Sequence, residues 1–296
     1  MIINFTKMHG LGNDFILIDC LQHSFGLDRS TFGESAKKLC DRRFGVGADQ
    51  ILILDRSKTA DFKMLIFNAD GSEVEMCGNG IRCLAKYIWD RKLSGKNVLA
   101  IETLAGVIKP EKAGEMVKVD MGGPIFEPEK IPVKIQNSDI RPQTPPHPPL
   151  VKGGSRGGIV DYPLRIADKE FRITCVSMGN PHAVIVVDDV AKFPVTYYGP
   201  MIEAHPIFPR KSNIEFIEII SGKEIKMRVW ERGAGETTAC GTGACAAAVA
   251  SNVKGLTDGN VTVHLRGGDL LIERASDNHV YMTGPAVEVF EGIIRQ

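Results

Sequence analysis

Short runs of β-branched and apolar residues recur along the chain, separated by clusters of Gly, Pro and Asp, which is the pattern of a strand-rich protein. In the first half the pattern predicts strands at residues 15–19, 50–54, 62–67, 98–103, 107–109 and 116–121. In the second half it predicts strands at residues 171–175, 183–187, 214–219, 224–229, 261–265, 270–273 and 280–282. The chain is therefore expected to consist mainly of β-sheet.

Two stretches carry a helical pattern instead. After Cys77, apolar residues recur at helical spacing at Ile81, Leu84, Ala85 and Ile88. After Cys240, residues 244–249 are nearly all small and apolar, so this helix is expected to be buried on all sides. We predict an α+β fold in which each half is a mixed or antiparallel, barrel-like sheet curled round one central helix.

The two predicted helices begin in similar sequences, NADGSEVEMCGNGIRC at 68–83 and ERGAGETTACGTGAC at 231–245. Nine residues separate Asn68 from Cys77, and nine separate Glu231 from Cys240. A Leu-Gly-Asn ending at residue 13 and a Met-Gly-Asn ending at residue 180 precede these cysteines by 64 and 60 residues. Markers in one order at matched spacing indicate a duplicated domain, with a period far longer than that of solenoid repeats. We therefore predict two pseudo-symmetric lobes that each supply half of one site.

The length of 296 residues suits roughly two domains. We place the N-terminal lobe at residues 1–123 and the C-terminal lobe at residues 159–285. Residues 124–158 between them are rich in Pro and Gly, and the excursion from Thr144 to Gly158 cannot form a helix or an interior strand. This segment is expected to be a linker.

Charge and composition narrow the classes of function. Lys plus Arg equals Asp plus Glu, 36 against 36, so no net field favours nucleic acid or an anionic membrane surface. The start, MIINFTKMHG, lacks the features of a secretion signal, and no apolar run is long enough for a membrane span, so a cytoplasmic protein is expected. Seven cysteines, an odd number, favour reduced thiols, with Cys20 and Cys175 as packing residues at strand ends.

The candidate chemistry lies in the two Cys-Gly-x-Gly turns. Their glycines allow a sharp entry into a helix whose first N–H groups then form an anion site. A thiol at such an end is expected to have a lowered pKa, because it lies near the positive end of the helix dipole. Two thiols on opposite faces of one carbon can invert a stereocentre, since one removes the α-proton while the other delivers a proton.

Other chemistries use the same residues. Cys77, Cys83, Cys240 and Cys245 would be a zinc site, although their spacing exceeds the usual gap between zinc ligands. A cysteine hydrolase with His182 as the base would leave one of the two cysteines of the repeat without a role. A non-catalytic amino-acid-binding module would keep the glycines and asparagines without needing paired thiols.

The residues 7–15 (KMHGLGNDF), 68–83, 179–182 (GNPH) and 231–245 together resemble the diaminopimelate epimerases, over nearly the whole chain. The related proline racemases carry His in the position of Asn79, and the phenazine-biosynthesis relatives lack the cysteine pair. The resemblance implies a cofactor-free epimerase, without a metal, that interconverts LL- and meso-diaminopimelate for lysine and peptidoglycan synthesis. A racemase of another amino acid, such as a proline derivative, stays an alternative.

The resemblance also implies roles for particular residues. Cys77 and Cys240 would be the acid/base pair, and His182 and Glu231 would tune the thiols and hold the reacting amino group. The helix starts would bind a carboxylate through Gly78, Asn79, Gly241 and Thr242. The substrate would be lined by Asn13, Gln50, Asn68, Asn180, Asn213, Glu231 and Arg232, with Arg232 suited to a bidentate grip on the distal carboxylate. We further expect residues 286–296 to return to the first lobe, and the protein to be a homodimer with no nucleic-acid or membrane partner.

Overall fold

The protein is described here from a computed structural model that covers residues 2–21, 32–134 and 158–295. The chain divides into two compact units. Unit 1 comprises residues 1–120 and 283–296, and unit 2 comprises residues 121–282. The predicted excursion from Thr144 to Gly158 lies outside the described residues except for Gly158, and the domain limits drawn from the sequence stay a prediction.

Unit 1 is a sheet with two helices, and the elements are numbered along the whole chain. It contains β1 (Ile2–Gly10), β2 (Asn13–Asp19), α1 (Phe32–Cys40), β3 (Gln50–Asp55), β4 (Phe62–Asn68), α2 (Gly78–Asp90), β5 (Ile101–Thr103), β6 (Gly106–Ile108), β7 (Glu111–Ala113), β8 (Met116–Asp120) and β18 (Val287–Arg295). Seven of these strands form one sheet in the order β18-β1-β2-β3-β4-β5-β6. The strands β7 and β8 form an antiparallel hairpin.

Unit 2 repeats this plan. It contains β9 (Tyr162–Ile166), β10 (Lys169–Ser177), β11 (Pro181–Val186), α3 (Val195–Glu203), β12 (Asn213–Ser221), β13 (Glu224–Glu231), β14 (Gly235–Thr237), α4 (Gly241–Val253), β15 (Asn260–Leu265) and β16 (Gly268–Arg274), with β17 (Val280–Gly284) beside β16. Its strand order is β9-β10-β11-β12-β13-β15-β16, and β14 pairs with β13.

The two sheets have the same pairing pattern from one edge to the other. Read from β18 in unit 1 and from β9 in unit 2, successive pairs are antiparallel, antiparallel, parallel, antiparallel, parallel and antiparallel. The parallel pairs require crossovers, and these are where the helices lie: α1 and α2 in unit 1, α3 and α4 in unit 2. The predicted duplication and α+β class are confirmed.

The turn before β2 and the turn before β11 explain the repeated Gly-Asn. Gly12 has φ 89° and Gly179 has φ 93°, a region that residues with a side chain rarely adopt. Each glycine therefore reverses the chain, so that Asn13 is the first residue of β2 and Asn180 directly precedes β11.

The predicted central helices are also confirmed. In unit 1, α2 packs against β1, β2, β3 and β4, and in unit 2, α4 packs against β10, β11, β12, β13, β15 and β16. Every residue from 243 to 251 of α4 is buried, as its small apolar composition predicts. Residues 124–134, placed in the linker by sequence, contribute Ile131 and Val133 to the core of unit 2. No helix in the described part of the chain is long and apolar enough to cross a membrane.

Candidate active site

Cys77 is the N-cap of α2. Its backbone is extended, with φ −138° and ψ 116°, and its Sγ accepts the N–H of Gly80 at 3.4 Å. The thiol thus occupies the place of a capping hydroxyl. The N–H groups of Gly78 and Asn79 are in the first turn and have no acceptor within the helix, so they are available to an anion.

Asn13 connects the start of β2 to this helix start. Its Oδ1 accepts a hydrogen bond from Asn79 Nδ2 at 3.2 Å and from Cys77 Sγ at 3.8 Å. Its Nδ2 donates to Asp49 at 2.9 Å, one residue before β3. Asn13, Cys77 and Asn79 are therefore brought together, as predicted.

Gln50 and Asn68 pair across β3 and β4. Gln50 Nε2 donates to Asn68 Oδ1 at 2.8 Å, and Asn68 Nδ2 donates to Ser72 at 2.9 Å. Among the described residues Gln50 Oε1 is buried without a hydrogen-bond partner. A buried amide oxygen of this kind is an unused acceptor for a ligand donor such as an amino group.

Arg82 lies beneath the start of α2 and is wholly buried. It donates to Asn79 Oδ1 at 2.9 Å, to the carbonyl of Gly78 at 3.3 Å and to the carbonyl of Pro285 at 3.2 Å. The guanidinium thereby holds Asn79 in the orientation in which its Nδ2 faces Asn13.

Cys240 is the N-cap of α4 and matches Cys77 in geometry. Its φ is −126° and ψ 113°, and its Sγ accepts the N–H of Gly243 at 3.4 Å. Thr242 Oγ1 lies 3.5 Å from the sulfur. Gly241 and Thr242 form the first turn, so their N–H groups repeat the anion site of unit 1.

A chain of side chains leads away from Cys240. Thr242 Oγ1 accepts from Asn180 Nδ2 at 3.2 Å, and Asn180 Oδ1 is 2.8 Å from His182 Nε2. His182 Nδ1 is 2.7 Å from Glu215 Oε1, and both of these side chains are wholly buried. The sequence did not single out Glu215, although a carboxylate inside the apolar run 214–220 was a visible signal.

Asn213, Glu231 and Arg232 lie at neighbouring ends of β12 and β13. Asn213 Nδ2 donates to the carbonyl of Pro181 at 3.1 Å, and its Oδ1 accepts the backbone N–H of Arg232 at 2.8 Å. Glu231 accepts a hydrogen bond from Thr237. Arg232 is exposed, and among the described residues its guanidinium donates a hydrogen bond to the carbonyl of Arg210 at 3.4 Å, which leaves most of its donors for a ligand.

The expected fall in thiol pKa is wrong for Cys240. Burial raises the pKa of Cys240 well above its ordinary value, and the charge of the neighbouring Glu231 raises it further. The hydrogen bonds from Thr242 and from the Gly243 N–H lower it, but by less. Cys240 therefore holds its proton at neutral pH in the substrate-free protein.

Burial also raises the pKa of Glu215, and the neighbouring His182 only partly offsets this effect. The cysteines outside the turns have inert environments. Burial raises the pKa of Cys83 to about 12 and that of Cys20 and Cys40 to about 11. These thiols suit packing rather than catalysis.

Two of the alternatives can be compared with this geometry. Within the described residues no group of three or more His, Cys, Asp or Glu side chains is arranged to hold a metal ion. For the hydrolase, His182 would have to face a cysteine, but its two ring nitrogens face Glu215 and Asn180.

Comparison with known proteins agrees with this geometry. The sequence pattern of the diaminopimelate epimerase family matches residues 5–127 and 174–289. The chain is 50% identical to the diaminopimelate epimerase of Acetivibrio thermocellus, with 98% of each chain covered, and 47% identical to that of Methanococcus maripaludis, with 99% of each covered.

Solved structures share the fold at low identity. A phenazine biosynthesis protein of the PhzF family from Bacillus anthracis superposes with a TM-score of 0.69 at 18% identity, covering 100% of both chains. A hydroxyproline epimerase from Agrobacterium vitis gives 0.62 at 13% identity, covering 99% of this chain and 91% of the other. The length and identity of the matches to the epimerases decide the assignment, and the chain belongs to the diaminopimelate epimerase family.

Proposed function

We propose that the protein is an isomerase that interconverts LL- and meso-diaminopimelate for lysine biosynthesis, with Cys77 and Cys240 as its acid and base. The observation that supports this most is that two topologically identical units each place a cysteine at the N-cap of their central helix. A reaction that inverts a stereocentre needs two equivalent proton carriers, and a duplicated fold supplies them.

Each thiol would act on one face of the α-carbon. In one direction Cys77 removes the α-proton as a thiolate while Cys240, which is a thiol in the substrate-free protein, delivers its proton to the opposite face. The carboxylate next to that carbon would accept hydrogen bonds from the first N–H groups of the helices, at Gly78, Asn79, Gly241 and Thr242. These donors stabilise the negative charge that spreads onto the carboxylate as the proton leaves.

The remaining site residues would bind the rest of the substrate. Asparagine and glutamine side chains at the strand ends offer both donors and acceptors to amino and carboxylate groups. Arg232 would bind the distal carboxylate, because a planar guanidinium fixes both the distance and the orientation of a carboxylate. Glu231 would hold the reacting amino group, with which its carboxylate forms a charge-assisted hydrogen bond.

This mechanism requires neither pyridoxal phosphate nor a metal, because the thiols supply both the acid and the base. Activity should survive dialysis against a chelator, and the active protein should show no cofactor absorbance. Loss of activity that added zinc restores would contradict this proposal.

The test of the cysteine pair follows LL-diaminopimelate in deuterated water. Cys77→Ala and Cys240→Ala should each abolish epimerisation, while each retains exchange of the α-proton of one isomer, and the two variants should prefer opposite isomers. Cys245→Ala, in the same helix as Cys240, is the matched control and should epimerise at nearly the wild-type rate. Full conversion by Cys240→Ala at a near-normal rate would show that the pair is not the catalyst.

We also propose a cytoplasmic homodimer. Strand β18 lies at the edge of its sheet and exposes the apolar residues Val289, Phe290 and Ile293, with Ile2 of β1 beside them. Exposed apolar side chains on an unpaired strand edge favour pairing with a second copy. Phe290→Glu should convert a dimer to a monomer in light scattering, whereas Val107→Glu, on the exposed strand β6, should leave the mass unchanged.

A further inference from the structure

A chain of four side chains connects a buried carboxyl group to the sulfur of Cys240: Glu215, His182, Asn180 and Thr242. The donor and the acceptor in each contact follow from the orientation of the Asn180 amide. Asn180 Nδ2 faces Thr242 Oγ1, so its Oδ1 faces His182 Nε2. An amide oxygen only accepts, and Nε2 must therefore carry a proton. Because Thr242 Oγ1 accepts from Asn180, its own O–H is left to donate to Cys240 Sγ, 3.5 Å away.

The direction of this chain depends on the proton between His182 and Glu215. If Glu215 were ionised beside a neutral His182, Nδ1 would carry the proton and Nε2 would accept, which reverses every donor up to the sulfur. The direction in which Nε2 donates requires one more proton on the pair, carried either by Glu215 or by Nδ1 of His182. Glu215 Oε2 is buried without a hydrogen-bond partner among the described residues, a position that suits a neutral carboxyl group better than a carboxylate.

Unit 1 shows that the fold does not need ionisable side chains here. The register places His182 opposite Asn213 in unit 2 and Phe15 opposite Gln50 in unit 1. Glu215 lies two residues after Asn213 on β12, and Leu52 lies two residues after Gln50 on β3. A side chain at Gly243 would meet Glu215, and one at Gly80 would meet Leu52 and Phe15, so the two pairs lie under equivalent helix starts.

We propose that Glu215 is a positioning residue of the reaction: as the neutral acid it fixes His182 with Nε2 protonated, so that Thr242 donates its hydroxyl hydrogen to the thiolate of Cys240. This inference rests on the proposed function, because it concerns the half-reaction in which Cys240 is the base. A thiolate that receives a hydrogen bond from a hydroxyl group is stabilised relative to the thiol, which offsets the burial of Cys240.

Three variants test the direction of the chain. Glu215→Leu should lower kcat about 30-fold with KM changed by less than about threefold, because a hydrogen bond to a charged group is lost. Glu215→Gln should recover most of this loss, since its amide N–H can donate to His182 Nδ1 as the neutral acid does. Thr242→Val should reproduce the Leu variant, as it removes the last donor. Glu218→Gln, on the same strand, is the control and should match wild type.

The pH profile separates positioning from packing. The titratable groups that interact with Glu215 are His182, Glu231, Cys240 and Cys175. In the wild type, kcat should fall as the pH rises through the raised pKa of Glu215, and Glu215→Gln should remove that descending limb while the other groups remain. A Gln variant as inactive as the Leu variant, or one with an unchanged descending limb, would overturn the proposal.

Folding and function can be told apart in the same experiment. His182→Phe/Glu215→Leu copies the pair of unit 1, so it is expected to fold even if Glu215→Leu alone does not, and it should be as slow as Thr242→Val. A double variant with wild-type kcat would overturn the inference. Absence of turnover in the wild type would instead contradict the proposed function and would be seen before any variant is compared.

Discussion

The two units share one topology, but they differ in where the buried polar side chains lie near the start of the central helix. In one unit they are on the helix, and in the other they are on the strands. In unit 1 the cation Arg82 is on the helix itself, five residues after Cys77, and the strands below are apolar at Phe15 and Leu52. In unit 2 the position five residues after Cys240 is Cys245, and the polarity is on the strands, as His182 and Glu215. The fold tolerates either arrangement, so the two N-cap cysteines lie in different electrostatic surroundings.

The largest effect is expected from removing the buried cation of unit 1. Arg82→Met removes the guanidinium hydrogen bonds to Asn79 and to the carbonyl of Pro285, and should lower the free energy of unfolding by about 3 kcal/mol. The equivalent change in unit 2, Cys245→Ala, deletes one small buried group and should lower it by about 1 kcal/mol. Denaturant titration of both variants measures the difference, and equal losses would mean that Arg82 acts only as packing.

Recognition of the distal carboxylate should depend on unit 2. Arg232 follows Glu231, whereas the matching residue after Asn68 in unit 1 is Ala69, which cannot bind a carboxylate. Arg232→Lys should lower kcat/KM for diaminopimelate about 100-fold, because the bidentate geometry is lost although the charge remains. A monocarboxylic amino acid tested as a poor substrate should lose far less. Equal losses on both substrates would remove Arg232 from the distal carboxylate.

Gly80 and Gly243 each occupy the third position of their helix, and replacing them should give a smaller difference in stability between the two units. A Cβ at Gly243 would lie 2.9 Å from Glu215 Oε1, an atom held by His182, whereas a Cβ at Gly80 would lie 3.0 Å from the methyl end of Leu52. Gly243→Ala should therefore destabilise by about 2 kcal/mol and Gly80→Ala by less than about 1 kcal/mol. Thermal unfolding of the two variants checks the order, and a larger effect at Gly80 would show that Glu215 moves freely.

The sequence predicts the strands of both sheets and the two central helices because their periodicity reflects burial on one side or on all sides. It misses α1, α3 and the strands β1, β7, β9 and β14. The helix α3, for example, contains Pro200 and has no side-chain cap, so local signals do not mark it. The first strand, β1, alternates weakly and depends on pairing with β18, which lies at the other end of the chain.

The sequence identifies candidate residues that line the site, but not the buried residues that hold them in place. Asn13 lies beside Cys77 and Asn79, and the sequence links them because the Gly-Asn marker and the cysteine turn recur in the same order in both halves. Glu215 and Arg82 are absent from the sequence-based prediction, because a single charged residue among apolar neighbours does not indicate which residue it will pair with. Only the register of β11 with β12 shows that Glu215 lies beside His182. The thiol pKa was misjudged for the same reason, because burial and nearby carboxylates are tertiary properties.

The last effects concern how the free energy of unfolding depends on pH. A group in unit 1 should dominate one part of the pH range, and a group in unit 2 another. Burial alone would raise the pKa of Asp14 in unit 1, but hydrogen bonds from Arg42 and Lys7 lower it to about 2. A carboxyl group with a lowered pKa contributes stability above its unfolded value, and that stability is lost as the pH falls towards 2. Asp14→Asn should thus cost about 1–2 kcal/mol at pH 7 and much less at pH 3.

Glu215 in unit 2 should behave in the opposite sense, since burial raises its pKa. Its neutral form stabilises the fold below the folded pKa, and this contribution is lost as the pH rises through that value. Glu215→Gln should therefore flatten the fall in unfolding free energy that occurs as the pH rises through the folded pKa of Glu215, while Asp14→Asn flattens only the acid side. The matching position of Asp14 in unit 2 is Pro181, which does not titrate, so the acid limb has no second source at this position. If Asp14→Asn leaves the acid limb intact, the Lys7 and Arg42 contacts at 2.6 and 2.7 Å do not stabilise unit 1.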